Sequence, residues 1–170
     1  MGVLFDYFTA VDDVLAATAI DRVGGPAGTA AAPEPRRRWS GRRPAAQAPL
    51  TAFDTVPDCG VDPVVQLGTL EELLTGRPYD DVADDPRNGA VIATRDGGEV
   101  TVLTVTDGLT RALAAVDDTR LAEVAVTWSR TEEFAGSAEP DELVAVLRDL
   151  AALAGRAAGR GERLYCWAGV

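Results

Sequence analysis

The stretch PDELVAVLRDLAALAGRAAGRGERLYCWA, residues 140–168, predicts a long helix followed directly by a strand. Pro140 is a residue type that favours the first turn of a helix, and the acidic residues after it suit the positive end of the helix dipole. The leucines spaced three and four residues apart along one side are Leu143, Leu147, Leu150 and Leu153. Gly161 ends the helix, and the apolar run Arg163–Ala168 is typical of a closing strand.

The N-terminal run Val3–Phe8 predicts a second strand of the same kind. Both terminal strands are short, rich in aromatic residues and nearly free of charge, which is typical of strands buried on both faces. We therefore expect them to be neighbours in the middle of one mixed β-sheet. The helix from Pro140 to Gly159 and several shorter helices would cover this sheet. The sequence thus predicts an α+β fold, and 170 residues suit a single domain, 1–170.

Shorter elements fill the rest of this domain. Thr9, with Asp12 three residues later, predicts a helix over Ala10–Ala19. Further helix starts are predicted near Asp62 or Thr69, at Thr106 or Asp107, and at Asp117 or Asp118. Residues 79–89 predict an acidic loop. The β-branched runs Ala90–Thr94 and Glu99–Val105 flank two glycines and predict a β-hairpin.

A segment at about residues 23–50 is rich in Pro, Ala and Arg and has no apolar periodicity. Such a composition predicts a flexible insert, and we expect residues 24–48 to lack regular secondary structure. Its basic and aromatic residues, a candidate interaction site, are Arg36, Arg37, Arg38, Trp39, Arg42 and Arg43. They could bind nucleic acid, or the acidic part of the same chain could attract them. The second alternative is favoured because the rest of the chain is strongly acidic.

The composition is acidic, with a net charge of −11, and every one of the 16 basic residues is arginine. This arginine bias is typical of a bacterium with a GC-rich genome. The negative charge opposes nucleic acid and anionic membrane, and no run is long and apolar enough for a membrane helix. Two cysteines and the absence of a signal-peptide pattern indicate a cytoplasmic protein. Cys166 is predicted in the core, and Cys59 lies in a predicted loop where it could be exposed.

The chain has no histidine, which removes the commonest general base and metal ligand. We expect no cofactor and no metal. Adjacent carboxylates such as Asp80-Asp81 are predicted to cap helices or face solvent rather than hold a cation. A weak candidate ligand site consists of Trp128, Arg130, Glu132 and Glu133, since an arginine between aromatic and acidic residues can bind an anion. The alternative is a packed loop in which Arg130 pairs with a neighbouring acid.

Short motifs along the chain occur in an order that is found in a known family. They are Met1-Gly2 with Tyr7-Phe8, Leu73-Leu74-Thr75-Gly76, Asp118-Thr119-Arg120-Leu121 with Trp128, and Leu164-Tyr165-Cys166-Trp167. In these motifs the chain resembles the YfbM-like family of small bacterial proteins of unknown function. The resemblance covers both ends and the second half, and it leaves out residues 22–50. It implies an α/β or α+β fold, no established activity and no catalytic residues to transfer.

Two functions follow as hypotheses. The first is a non-enzymatic binding or protein-interaction domain, such as an inhibitor-type partner, because an acidic face suits a target with a basic surface. The second is a small ligand-binding protein or enzyme that uses Arg130 with Glu132 or Glu133. A closed pocket lined by Trp128, Arg130 and a carboxylate would favour the second hypothesis.

Overall fold

A five-stranded antiparallel sheet forms the centre of the protein in the computed structural model, which describes residues 2–30 and 52–170. In chain order the strands are β1 (Leu4–Ala10), β2 (Arg22–Val23), β3 (Thr29–Ala30), β4 (Thr55–Val56), β5 (Val91–Arg95), β6 (Val100–Thr104) and β7 (Arg163–Gly169). The five-stranded sheet has the order β4-β1-β7-β6-β5, and β2 pairs with β3 separately. The helices are α1 (Asp13–Ala17), α2 (Val65–Thr75), α3 (Tyr79–Ala83), α4 (Asp107–Ala115), α5 (Asp118–Trp128) and α6 (Pro140–Arg160).

The predicted α+β class and the pairing of the two terminal strands are confirmed. β1 and β7 are neighbours along their whole length, with Tyr7 opposite Cys166 and Phe8 opposite Tyr165. Every pair in the sheet is antiparallel, where a mixed sheet was expected. The apolar pattern of the strands indicates burial on both faces but not strand direction. Helices on both sides of a sheet produce that burial for parallel and antiparallel strands alike.

Helices cover both faces of the sheet. On one face Tyr7, Leu164 and Cys166 belong to a core that includes the leucines of α6, where Leu147 is fully buried. On the other face Phe8 and Tyr165 pack with small residues of α1 and of the 3-10 turn after it. Successive residues of a strand point to opposite faces, so this double cover buries neighbouring residues on both strands, Tyr7 and Phe8 on β1 and Leu164 and Tyr165 on β7.

The first helix is shorter than predicted and begins later. β1 continues through Ala10, and Asp12 is the N-cap of α1, accepting a hydrogen bond from the Leu15 backbone N–H at 2.8 Å. Thr9 lies in the strand, and its hydroxyl donates to Glu162 at 2.7 Å. Threonine and aspartate both serve as N-caps, but β-branched threonine also favours strands, and here pairing with β7 decides between them.

Two predicted loops contain short regular elements. In the segment 79–89 the helix α3 forms because Val82 is fully buried and Pro78 precedes the first turn. Two aspartates in that turn are favoured there by the helix dipole. In the segment 24–48 the prediction was wrong at Thr29–Ala30, which pairs with Arg22–Val23 across a turn that contains glycines with positive φ. The positions 36–43 lie outside the described residues.

The predicted hairpin and the starts of two helices are confirmed, whereas α2 begins at Val65, between the two predicted starts Asp62 and Thr69. β5 and β6 form the expected hairpin, Thr106 caps α4 by accepting from the Leu109 N–H at 3.1 Å, and Asp117 caps α5 by accepting from the Arg120 N–H at 2.8 Å. α5 is longer than expected and carries Trp128 as its last residue. Trp128 is therefore part of a packed helix, which argues against the predicted ligand site.

Candidate functional site

Trp128, the first of the predicted ligand-site residues, lies in the core. Its side chain is fully buried, its indole Nε1 donates to the Gln66 carbonyl at 3.1 Å, and its ring packs edge-on against Phe134 with centroids 5.0 Å apart. A buried tryptophan with its N–H bonded to backbone stabilises a fold. Trp128 is therefore not open to a ligand.

The structure does not bring the other three residues together. Arg130 and Glu132 are exposed, and Arg130 forms no ion pair with any described residue. Glu133 instead accepts a hydrogen bond from the Thr69 hydroxyl at 2.6 Å, and this bond lowers the pKa of the Glu133 carboxyl. The second oxygen of Glu133 is buried without a hydrogen-bond partner among the described residues. The basic candidates Arg36, Arg37, Arg38, Trp39, Arg42 and Arg43 lie outside the described residues.

The cysteines and a buried tyrosine are held in their neutral forms. Both cysteines are free and buried, so Cys166 is a core residue as predicted, whereas Cys59 is not the exposed thiol that its loop suggested. Burial raises the pKa of Cys59 to about 12 and raises the pKa of Cys166 as well. Burial, together with a hydrogen bond to Asp13, raises the pKa of Tyr165 to about 12. A thiol with such a pKa is a poor nucleophile near neutral pH.

Sequence reasoning missed the most deeply buried charge that the structure describes, Glu71 on α2. Its side chain is 1% exposed. One carboxylate oxygen accepts a short hydrogen bond from the Thr106 hydroxyl, and the other lies 3.3 Å from Arg77 Nη1. Arg77 also contacts Asp85 at 3.0 Å and donates to the Asp81 carbonyl. A buried carboxylate is stable only with such partners. Glu71 therefore connects α2 to the N-terminus of α4.

Glu71 also marks one end of a groove between α2 and α4. Two adjoining cavities of about 420 and 320 Å³ share Ala112 as a wall. The first is lined by Glu71, Thr75, Arg77, Gly108, Arg111 and Ala112, and the second by Leu74, Ala112, Ala115, Val116, Asp117 and Arg120. We call these residues together the α2–α4 groove. Charged side chains line both ends, with Glu71, Arg77 and Arg111 at one end and Asp117 and Arg120 at the other.

A third cavity, of about 390 Å³, lies beside a cluster of paired charges at the C-terminal end of α6. Arg156 binds both oxygens of Asp54, at 2.7 and 2.9 Å, and Arg160 reaches Asp54 at 2.9 Å and Glu162 at 2.8 Å. The Arg156 hydrogen bonds, with those of Arg160, lower the pKa of Asp54 to about 2. These groups neutralise one another, so the cluster stabilises the contact between α6 and the sheet edge.

The described surface is strongly acidic. Glu34 and five of the 16 arginines lie outside the described residues, which therefore carry 26 acidic and 11 basic side chains and a net charge of −15. Most of these arginines form ion pairs with carboxylates of the same chain. Two groups of exposed acids form no ion pair with a described arginine: Asp80, Asp81 and Asp84 at α3, and Glu139, Asp141 and Glu142 at the start of α6.

Compared with protein-family models, with curated proteins and with solved structures, the chain matches none of them. Within residues 2–30 and 52–170, no group of three or more cysteine and acidic side chains is placed to hold a metal ion. Of the helices in these ranges, none combines the length and the apolar character needed to cross a membrane.

Proposed function

We propose that this chain is a non-enzymatic protein-interaction domain whose acidic surface binds a partner with a basic surface, as an inhibitor-type partner does. The proposal rests on the distribution of charge. The described residues have a net charge of −15, and most of their arginines are held in internal ion pairs. A surface of one sign steers an oppositely charged protein toward it and discriminates against acidic competitors.

Asp54, Cys59 and Tyr165 are poorly suited to acid–base catalysis near neutral pH, which favours a binding role. A general acid or base works best with a pKa near the operating pH. Here Asp54 has a pKa of about 2, and Cys59 and Tyr165 have pKa values of about 12, so these groups keep one protonation state near neutral pH. The ligand-site alternative loses support because Trp128 is buried and because Glu133 bonds to Thr69 rather than to Arg130.

The buried free thiols support a reducing compartment, so the proposal places the domain in the cytoplasm. The family assignment belongs to the same proposal. The resemblance to YfbM-like proteins implies an α/β or α+β fold, and it brings no activity that conflicts with a binding role.

The test is capture of a partner from the source cells with the full chain, compared between two charge-neutralised variants. One variant carries Glu139→Gln, Asp141→Asn and Glu142→Gln, and the other carries Asp80→Asn, Asp81→Asn and Asp84→Asn. Arg130→Gln is the control, since Arg130 is exposed and forms no described ion pair. Each variant is first checked for an unchanged circular dichroism spectrum, and extracts are treated with nuclease to remove bridging nucleic acid.

We expect at least one acidic variant to lose about tenfold or more of a captured basic protein, and raised salt to release it from the unmodified chain. The Arg130→Gln chain should retain the partner. Capture that is equal in all variants, or that survives high salt unchanged, would contradict an electrostatic interface and with it the proposed function.

A further inference from the structure

β5 is the outer strand of the five-stranded sheet and leaves one side of its backbone open. On β6, Thr101 and Leu103 form the hydrogen-bonded pairs with β7. Their partners on β5, Thr94 and Val91, therefore turn their backbone N–H and C=O groups outward. No described residue outside β6 forms a hydrogen bond with the main chain of these two residues. A further strand can pair with such an edge.

The two edges of the sheet differ. β4, at the opposite edge, is two residues long and is followed by Pro57, and both features prevent edge pairing. β5 has five residues, no proline, and a bulge between Val91 and Ala93. The bulge bends the strand, which disfavours the rigid edge of a second copy, whereas a flexible segment can follow the bend. The described net charge of −15 on each copy opposes self-pairing as well.

Exposed acids surround the β5 edge. Asp84 lies on the segment that leads into the strand, and Glu99 ends the turn that follows it. Arg95 donates to the Ile20 carbonyl, which brings the exposed Asp21 to the same end of the strand. These three acids form no ion pair with a described residue, and Arg95 is itself paired with the aspartate next to it. The surroundings of the edge are therefore complementary to positive charge.

We propose that the basic partner inferred above docks on this edge, with an extended segment of basic and apolar residues that pairs with β5 as a sixth strand. This inference rests on the proposed function and specifies its site. Main-chain hydrogen bonds to Val91 and Thr94 hold the segment, and side chains select it. Its basic residues meet acids such as Asp84 and Glu99. Its apolar residues meet Val91 and Val14, which are 58% and 80% exposed, and Val14 belongs to the helix α1 that packs beside β5.

The probes are two peptides of equal charge, acetyl-Arg-Val-Arg-Val-Arg-amide and acetyl-Arg-Pro-Arg-Pro-Arg-amide, titrated into the ¹⁵N-labelled full chain at low salt. Proline lacks the backbone N–H, so the second peptide keeps the charge and loses two donors for strand pairing. The valine peptide should shift the Val91 and Thr94 amide signals saturably below about 1 mM and slow their hydrogen exchange. The proline peptide should bind at least about fivefold more weakly, a difference of about 1 kcal/mol.

Variants at Thr94 test the backbone contact. Thr94→Pro removes one outward N–H and should weaken the valine peptide by a similar factor, whereas Thr94→Val keeps the N–H and should not. Each variant is checked by its amide spectrum. If Thr94→Pro does not fold, the comparison of the two peptides on the unmodified chain decides the question.

Paired charge variants test the surroundings of the edge. Asp84→Asn combined with Glu99→Gln should weaken the valine peptide. Asp58→Asn combined with Asp149→Asn removes the same charge from exposed positions near the opposite edge and should have little effect. Asp58 follows β4, and Asp149 lies near Cys59, whose Sγ contacts a β4 carbonyl.

Equal affinity for the two peptides, no saturable shift below about 1 mM, or shifts confined to residues outside β5 would each overturn the β5 site. Slow exchange at Val91 and Thr94 in the free chain, together with a dimeric mass, would overturn it too, because a second copy would then occupy the edge. Capture from the source cells separates this failure from failure of the proposed function. If the acidic variants lose the captured protein but Thr94→Pro retains it, the acidic surface binds its partner elsewhere and only the β5 site is wrong.

Discussion

Replacing Gly108 with alanine should destabilise the protein, although the same change at Gly155 in α6 should stabilise it. Gly108 lies in the first turn of α4 with ordinary helical backbone angles, so alanine is conformationally acceptable there. A Cβ atom built at this position, however, would lie 2.3 Å from Glu71 Oε1. Glu71 is 1% exposed and is held by Arg77 and the Thr106 hydroxyl, so it cannot withdraw without losing these partners.

Two opposing terms set the expected magnitude. Alanine in place of glycine inside a helix favours folding by about 0.5–1 kcal/mol. Against this stands one of two alternative costs: Glu71 stays in place and the extra atom costs about 1–3 kcal/mol, or Glu71 withdraws and loses a hydrogen bond, which costs about 1.5–3 kcal/mol. The net expectation for Gly108→Ala is a loss of about 1–2 kcal/mol in the free energy of unfolding.

The assay is equilibrium unfolding in urea followed by tryptophan fluorescence, since Trp128 is fully buried. Gly155→Ala in α6 is the matched control, because nothing lies within 4 Å of a Cβ at that position, and it should raise the free energy of unfolding by up to about 1 kcal/mol. In a Glu71→Ala background the Gly108→Ala penalty should disappear. If Gly108→Ala is as stable as Gly155→Ala, Glu71 is not held in place by Arg77 and Thr106.

Three further predictions concern the core, the buried ion pair and the pH dependence of stability. Leu147→Ala and Leu150→Ala each remove a side chain that is at most 1% exposed and should each cost about 2–5 kcal/mol in urea unfolding, whereas Leu4→Ala, at 51% exposed, should cost about 0.5 kcal/mol or less. Losses below about 0.5 kcal/mol at both core positions would refute the packing of α6 on the sheet. Arg77→Gln should destabilise more than Glu71→Gln, because it leaves a buried carboxylate without its cation, and the double variant should be more stable than Arg77→Gln alone; strict additivity in this cycle would show that the pair is not coupled. Asp54 has a folded pKa of about 2, below its ordinary value of 3.8, so it stabilises the fold above about pH 4 and this contribution is lost as the pH falls toward 2. With 28% of its side chain exposed, Asp54 should contribute about 1–2 kcal/mol, and Asp54→Asn should remove that part of the acid dependence; an unchanged slope between pH 5 and pH 2 would contradict the Arg156–Asp54 contact.

Local patterns predicted those helices and strands that can be recognised from the residues of one continuous segment. The leucine spacing of α6 appears in the structure as expected, and the burial predicted for Val3–Phe8 is found at Tyr7 and Phe8, whereas Val3 and Leu4 are exposed. Glu71 could be found in part, because Leu67, Leu70 and Leu74 place it on the buried side of α2. Its partner Thr106 lies 35 residues away, and no local pattern predicts such a contact.

For Trp128 a local pattern was available, and the prediction was wrong. The prediction placed Trp128 with the polar residues that follow it, although Leu121, Val124 and Ala125 precede it at helical spacing and predict a helix that includes it.

The groove was missed for a different reason. Gly108, Ala112 and Ala115 are unremarkable in a helix sequence, and they line a cavity only because α2 lies opposite.

The use of arginine connects the fold to the proposed function. Arg156 and Arg160 hold Asp54 before β4, Arg87 binds Asp13 on α1 at 3.0 Å, and Arg77 binds the buried Glu71. The first two sets of contacts join elements that are distant in sequence, whereas Arg77 binds a carboxylate six residues away. In all of them the planar fork of arginine suits this task better than a lysine ammonium would. Because the internal pairs take up most of the described positive charge, the acids left on the surface are not neutralised. The net charge of −15 follows from the composition, and the internal pairing of the arginines determines which acids stay unpaired on the surface that the proposed binding to a basic partner requires.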